Sequence, residues 1–284
     1  MKQTPLITLT TDFGTADGYV GTMKGVILDI APDARLVDIS HAITPQNTHQ
    51  AAYVLYTAYH FFPSHTVHLV VVDPGVGSAR HPIAMHTPAG YFVGPDNGVF
   101  SYVMARERVD GLVELADPRY RLSQISHTFH GRDIFAPAAA HLAAGLPIAS
   151  LGPPVRDLVT LPPPRLEIAD DCITGEVLHS DHFGNVITSV GLLAWNGDQL
   201  SLDPAFRQAR PAKGEPIRFE AGAATVVVTG HEIAGVHHTY AQVEPGEMLA
   251  LVGSEGHLEI AMREGNASTK LGLHPGNTVT LKLR

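Results

Sequence analysis

Three side chains could together activate a water molecule: a carboxylate, a guanidinium and an imidazole. Asp73 ends the apolar run Val70-Val71-Val72 and precedes Pro74-Gly75, and Arg80 follows it by seven positions. His130 lies fifty positions beyond Arg80, inside Thr128-Phe129-His130-Gly131-Arg132-Asp133. A carboxylate at the end of a buried strand, with a fixed cation and an imidazole near it, can orient water and take its proton. Each residue also has an ordinary reading. Asp73 suits a turn, Arg80 a solvated surface, and His130 is one of seventeen histidines.

Other segments offer binding groups. Asp12 lies in Thr10-Thr11-Asp12-Phe13-Gly14, at the carboxyl end of an apolar, β-branched run, where ligands gather in open α/β sheets. A carboxylate there can accept two hydrogen bonds from a ribose diol, or simply form an Asp turn. Asp181-His182-Phe183-Gly184-Asn185 offers a carboxylate to an ammonium, an aromatic face to a base and an amide to an adenine edge, and it also reads as a hairpin loop. Gly253-Ser254-Glu255-Gly256 and Gly265-Asn266-Ala267-Ser268 are ambiguous turns. His127-x-x-His130, His81 and His86 raise a metal reading. No His-Glu-x-x-His or tight His-x-His-x-Asp set supports it, so no metal is expected. Without Gly-x-Gly-x-x-Gly or Gly-Lys-Ser/Thr, the dinucleotide and Walker phosphate readings are poor.

The elements that must position these residues alternate in the first half. Leu6–Thr11, Arg35–Ile39, Thr66–Val72, Pro82–His86, Tyr91–Val93 and Gly111–Leu115 read as strands. Gly18–Ala31, with Asp17 as N-cap, and Thr44–Phe62, opened by Pro45, read as helices. Val99–Arg106 reads as a short helix. Arg132–Ala144 is predicted helical, with Pro137 in its first turn or at a kink. Such alternation predicts an α/β layered domain with a mostly parallel or mixed sheet over residues 1–150. Prolines crowd the next stretch, and 151–165 reads as a stiff linker. From 166 to 284 the runs are short: Ile173–Leu178, Asn185–Val190, Pro216–Glu220, Ala224–Val228, Met248–Val252, His257–Ala261 and Thr278–Leu283. They predict a smaller antiparallel β barrel or sandwich.

Composition narrows the class. Of 284 residues, 44% are hydrophobic and 17% charged, as in a well-buried globular chain. A net charge of -9 argues against a nucleic-acid backbone as partner. The single cysteine, Cys172, excludes an intrachain disulfide. No signal-length or membrane-length apolar run is present, so a cytoplasmic protein with no membrane partner is expected.

Taken together and in order, these segments resemble the S-adenosyl-L-methionine hydrolases, or hydroxide adenosyltransferases, relatives of the fluorinases and chlorinases. The resemblance runs through Thr11-Asp12-Phe13-Gly14, Val37-Asp38-Ile39-Ser40-His41 and Val72-Asp73-Pro74-Gly75-Val76-Gly77. It continues in Gly94-Pro95-Asp96-Asn97-Gly98, Thr128–Asp133, Asp181–Asn185 and Gly265-Asn266-Ala267. It implies that Asp73, Arg80 and His130 form the water-activating triad and that Asp12 holds the ribose hydroxyls. Tyr19 lines the methionine side and Asp181 meets the ammonium or its surroundings. Phe183 meets the adenine face and Asn185 an adenine edge, while Ser254 and the backbone of Ala267 complete the pocket. It implies a homotrimer with the ligand at the subunit interface, and no cofactor, since S-adenosylmethionine is itself the small-molecule substrate.

The expected reaction is attack of water or hydroxide at C5′, giving adenosine and L-methionine. Arg80 can lower the pKa of the water and His130 can accept its proton, with Asp73 orienting Arg80, while the sequence leaves open which of the three takes the proton. One alternative is a halide-using, chlorinase-like adenosyltransferase. Gly131 stands where fluorinases place a serine, and Asp73 would repel a halide. Another is a non-catalytic adenosine-compound binding protein, which would leave Asp73, Arg80 and His130 without a task.

Overall fold

The computed structural model describes residues 4–204 and 217–283, which fall into two compact units, Met1–Leu161 and Pro162–Arg284. Pro216, read as the start of a strand, lies outside the described residues.

The first unit is built on a six-stranded mixed sheet. Its strands are Leu6–Thr11 (β1), Arg35–Ser40 (β2), Val67–Val71 (β3), Pro82–Thr87 (β4), Gly90–Pro95 (β5) and Gly111–Glu114 (β6), in the spatial order β2-β1-β3-β5-β4-β6. β2, β1, β3 and β5 run parallel, while β4 is antiparallel to both β5 and β6. β1 and β3 are apolar or β-branched almost throughout because both their faces are covered. On one face Ile7, Leu9, Val67, Leu69 and Val71 pack with Met23, Ile27 and the alanine-rich stretch Ala136–Ala140. These last residues come from Tyr19–Ile30 (α1) and Ala136–Ala143 (α4). The alternate residues Thr8 and His68 turn the other way, where Tyr59 and Phe92 meet the His68 ring. Thr48–Ala58 (α2) precedes Tyr59 and packs against Ser101–Met104 (α3).

Two helix starts differ from expectation. α1 begins after Gly18 with no side-chain cap, so Asp17 does not cap it. α2 begins at Thr48, after Asn47, whose side chain accepts from Gln50 N at 2.9 Å; Pro45 stays outside. Gln46 has φ 66°, a left-handed conformation that cannot continue a helix backwards to Pro45. Arg132–Ala144 also divides. Gly131–Phe135 forms a π-turn, with Ala136 N–H bonded to Gly131 O, and α4 follows. Pro137 has no N–H to give Asp133 O, which instead accepts from Leu122 N at 2.9 Å. A π-turn of this kind re-aims side chains and recurs at functional sites.

The proline-rich stretch runs along β6 before the unit ends. Glu114 N donates to Pro153 O and Val155 N to Leu112 O. Proline is tolerated there because β6 is an edge strand.

The second unit is antiparallel β. Leu166–Ile168 (β7), Cys172–Ser180 (β8), Val186–Thr188 (β9), Leu193–Asn196 (β10), Gln199–Leu202 (β11), Ile217–Glu220 (β12), Thr225–Val228 (β13), His231–Ala234 (β14), Met248–Val252 (β15), Leu258–Met262 (β16) and Thr278–Lys282 (β17) are its strands. Ala267–Leu271 (α5) is its helix. An eight-stranded sheet runs β14-β13-β17-β8-β9-β16-β15, with β7 also on β8, and β10-β11-β12 form a separate three-stranded sheet. Alternating residues such as Ile173, Val177, Val226, Val279 and Leu281 fill one core. His237 bridges Leu251 and β14 approaches β15, so the large sheet curls towards a barrel. β7, β10, β11 and β14 were not expected; each is three or four residues long, too short for alternation to stand out.

Candidate active site

After β1 the chain crosses to β2 on one side, then returns to place β3 on the other. β1 and β3 therefore flank a topological switch point, where a parallel sheet opens a crevice at its carboxyl edge. Asp12 follows β1 and Asp73 follows β3, with Thr11 opposite Val71 in the register. A cleft of about 380 Å³ lies at this edge, lined among others by Asp12, Tyr19, Gln46, Asp73, Phe129 and His130. Phe13, Tyr19 and Phe129 form an aromatic cluster on its wall, with ring centroids 5.2–5.7 Å apart. Tyr19 remains 49% exposed.

Asp73, Arg80 and His130 come together. Arg80 Nε lies 3.0 Å from each Asp73 carboxylate oxygen, and Arg80 Nη2 also bonds Asp73 Oδ2. The same Nη2 lies 2.9 Å from His130 Nδ1. The two protons of one guanidinium nitrogen thus serve a carboxylate and an imidazole. Arg80 also stacks over Phe135 at 5.1 Å. The Arg80 and Asp73 side chains are 9% and 6% exposed. Asp73 and His130 line the cleft, with Arg80 bridging them from behind.

An arginine carries donors but no acceptor, so His130 Nδ1 must present its lone pair to Arg80. In this arrangement the neutral ring carries its proton on Nε2. Proton acceptance by His130 would need the lone pair that Arg80 occupies. Burial and the adjacent Arg80 charge both push the His130 pKa down, against smaller opposing pulls from Asp73, Asp133 and the Ser126 carbonyl. Asp73 keeps acceptor capacity, because two carboxylate oxygens offer about four lone-pair sites.

Neighbouring motifs hold the triad in place. Asn97 Nδ2 donates to Val72 O at 2.8 Å, fixing the backbone just before Asp73. Asp133 is fully buried and accepts from Ser126 N and Arg132 Nε, tying the loop before His130 to the π-turn after it. A Cβ on Gly131 would stand 3.2–3.3 Å from Met23 Sδ, the Phe129 ring and Val71 Cγ1. A serine at this position would need these neighbours to give way by a few tenths of an ångström. Asp12 Oδ2 accepts from Gln46 N at 2.7 Å, which leaves its other lone pairs free.

The histidines that raised the metal reading do not converge. His81 pairs with Glu114 at 3.2 Å, His86 stacks on Tyr91, and His130 faces Arg80. Among the described residues no three His, Cys, Asp or Glu side chains form a metal-holding group.

The second unit carries its own polar cluster. Asp181 Oδ1 accepts from Phe183 N and Asn185 N, and Asp181 Oδ2 from Asn185 Nδ2 at 2.9 Å. Asn185 Nδ2 also lies 3.3 Å from Tyr240 Oη. Both amide protons are spent inside the protein, so Asn185 offers a ligand its carbonyl oxygen. Phe183 projects at 73% exposure from this turn. Gly184 has φ 84°, and any Cβ there would collide with Asn266, so the turn requires glycine. Ala267 opens α5, where a helix leaves first-turn N–H groups without intrahelical partners. Ser254 is exposed between β15 and β16. Sequence reasoning missed Glu259, whose pKa rises to about 7 through burial and then the Asp181 charge. It also missed Tyr240 and, in the first unit, Gln46. None of the three stands in a segment whose residue types suggest chemistry.

Two domain patterns of one family cover the chain. The SAM hydroxide adenosyltransferase N-terminal domain matches residues 7–152 and the corresponding C-terminal domain residues 175–280. The chain belongs to the SAM hydroxide adenosyltransferase family. Its curated relatives include the (R)-S-adenosyl-L-methionine hydrolase of Salinispora tropica, 40% identical over 98% of this chain and 97% of that protein. The enzyme of the same name from Thermus thermophilus is 38% identical over 95% and 96%. A fluorinase from Actinoplanes sp. is 26% identical over 66% of this chain and 72% of its own length. Among solved structures, an uncharacterized conserved protein from Thermotoga maritima superposes with a TM-score of 0.84 at 36% identity, covering 98% of this chain and 99% of that one.

Proposed function

We propose that this protein hydrolyses S-adenosyl-L-methionine at C5′, giving adenosine and L-methionine. The observation that carries the proposal is the Asp73–Arg80–His130 bridge on the cleft wall, within a chain 40% identical to a named hydrolase over nearly its whole length. A water bound in line with the C5′–S bond gives a hydrogen bond to Asp73. As the C5′–O bond forms, the C5′–S electron pair moves onto sulfur, and methionine leaves as a neutral thioether. The water proton passes to Asp73. No general acid is needed, because the sulfonium is already an activated leaving group. Attack by an incipient hydroxide on a sulfonium cancels opposite charges, so the aromatic wall of the cleft favours it. Arg80 holds and aims the Asp73 carboxylate, and His130 keeps Arg80 in register by accepting from its Nη2.

Asp12, with lone pairs left over after Gln46, is assigned to the ribose diol, and Tyr19 to the methionine side. Phe183 is assigned to the nucleobase face and the Asn185 carbonyl to an amino group on its edge. Asp181, Ser254 and the Ala267 N–H are assigned to the remaining polar groups. No cofactor enters the reaction. Homotrimeric assembly belongs to the same proposal, and sedimentation of the purified protein tests it. No helix among the described residues is long and apolar enough to cross a membrane, and a cytoplasmic location is proposed.

Halide addition is the competing reaction, and the missing hydroxyl at Gly131 and the Asp73 carboxylate on the cleft wall weigh against it. Chromatography of mixtures with S-adenosylmethionine, with and without chloride or fluoride, separates the readings. Adenosine in every mixture is expected. A 5′-halo-adenosine would establish the halide reading, and tight binding without any product would establish the binding-protein reading.

A further inference from the structure

The segment Val37-Asp38-Ile39-Ser40-His41 touches no part of the cleft, yet it joins it through buried hydrogen bonds. Thr11 Oγ1 lies 2.8 Å from His41 Nδ1, and both residues are buried. His41 Nε2 lies 3.1 Å from Asp38 Oδ1, in ion-pair range though off the line of a good hydrogen bond. Asp38 Oδ2 is held by Lys24 Nζ at 2.7 Å. A ring nitrogen facing a carboxylate carries the proton, so in the neutral ring Nδ1 accepts from the Thr11 hydroxyl. Thr11 Oγ1 then has lone pairs left for Phe13 N, 3.3 Å away. The His41 carbonyl accepts from Gly14 N at 2.8 Å. Both ends of the Thr11–Gly14 turn are therefore fastened to His41, and Asp12 stands between the fastenings.

Resting on the hydrolase reading above, we propose that Asp38 and His41 are positioning residues. Through Thr11 they set the angle at which Asp12 meets the ribose diol, and so the preference for a ribosyl over a deoxyribosyl substrate. The buried Thr11–His41 contact is the core of the device. The Lys24–Asp38 pair is partly exposed and contributes less, as surface ion pairs do. Asp12 already spends one oxygen on Gln46 N, so the direction of its remaining lone pairs depends on the pitch of this turn. No residue of the relay touches substrate.

The test compares S-adenosyl-L-methionine with its 2′-deoxyadenosyl counterpart as substrates of the full-length protein. Thr11→Val removes the hydroxyl with little change of shape, and His41→Ala removes the ring. His41→Asn restores an acceptor near the Nδ1 position. In Thr11→Val and His41→Ala, kcat/KM for the ribosyl substrate is expected to fall about ten-fold, chiefly through KM, on the scale of a hydrogen bond to a charged group. The 2′-deoxy value should stay within about two-fold, and His41→Asn should recover most of the loss. Hydrogen exchange of the peptide spanning residues 11–18, measured without substrate, should be faster in both disruptive variants. An unchanged ratio between the two substrates, or equal losses on both, would overturn the inference. So would unaltered exchange, a readout that holds even if the wild-type protein hydrolyses neither substrate. A wild-type protein that hydrolyses neither substrate would refute the hydrolase reading itself.

Discussion

Arg80→Ala is expected to lower kcat by about 10³-fold or more while substrate still binds. Removing one preorganised charge-stabilising group from an active site commonly costs about 10²–10³ in turnover. Here the loss is compounded because one guanidinium serves two partners. Without it, Asp73 is a carboxylate 6% exposed with no cation beside it. Stranding a buried charge costs about 3–5 kcal/mol. Without the guanidinium, Asp73 is also no longer aimed at the attacking water. Arg80→Lys should rescue little, since an ammonium cannot reproduce the fork that reaches both Asp73 oxygens and His130 Nδ1. Asp73→Asn should match the Arg80→Ala loss within about ten-fold, because the pair acts as a unit. His130→Ala should lose distinctly less, as Arg80 keeps its carboxylate partner. Steady-state kinetics paired with calorimetric binding measures all four variants. A His130→Ala loss exceeding that of Asp73→Asn would reverse the assignment of the proton acceptor.

Stability is expected to fall on mild acidification. His68 is buried with Nδ1 against Thr8 Oγ1 at 2.8 Å and no partner at Nε2, and burial lowers its pKa to about 3. His257 is lowered to about 4, again chiefly by burial. In the unfolded chain both titrate near 6.5. Between those values the unfolded state binds protons that the native state refuses, so stability drops as pH falls below about 6.5. Glu259 acts in the opposite sense. Its native pKa of about 7 lies above the unfolded value near 4.5, so its contribution is full below pH 4.5 and is lost as pH rises through 7. From pH 6.5 to 4.5, two protons favour the unfolded state and one the native state. The net loss is about 1.4 kcal/mol per pH unit. His130, His141 and His179, also lowered first by burial, add to it in the same direction. Denaturant melts at pH 7, 6 and 5 measure the slope. His68→Asn, which keeps an acceptor towards Thr8, should flatten it by up to one proton. A wild-type profile flat across that range would contradict the account.

Much of the site could be read from the sequence, because the fold places it where strands end. Asp12 and Asp73 each follow a strongly apolar, β-branched run, and parallel strands deliver such residues to one sheet edge. Arg80 was legible through its motif, but its position behind the cleft wall was not. That placement depends on Phe135, at the end of a π-turn, and on His130, just before it, and no local periodicity announces the turn. The π-turn arises from Pro137, visible in sequence as a helix breaker but not as the cause of a five-residue turn. Gln46 reached the cleft through a left-handed backbone conformation unusual for glutamine. The start of α2 was misplaced for the same reason, since Pro45 is the stronger sequence signal and Asn47 the actual cap. In the second unit, β10 and β11 form a hairpin of four-residue strands around Gly197, too short for alternation to register. The sequence already spoke against halide use, through Gly131 in place of a serine and the charge of Asp73. The structure adds that Met23, Phe129 and Val71 crowd the space a larger side chain would need.

The fate of the water oxygen is the most direct test of hydrolysis at C5′. S-adenosyl-L-methionine is incubated with the protein in ¹⁸O-labelled water, and the products are separated and weighed by mass spectrometry. Attack at C5′ predicts adenosine carrying one ¹⁸O at its 5′-hydroxyl, together with unlabelled L-methionine, and the same products when chloride is present. Unlabelled adenosine, methylthioadenosine in place of adenosine, or a 5′-halo-adenosine would contradict it.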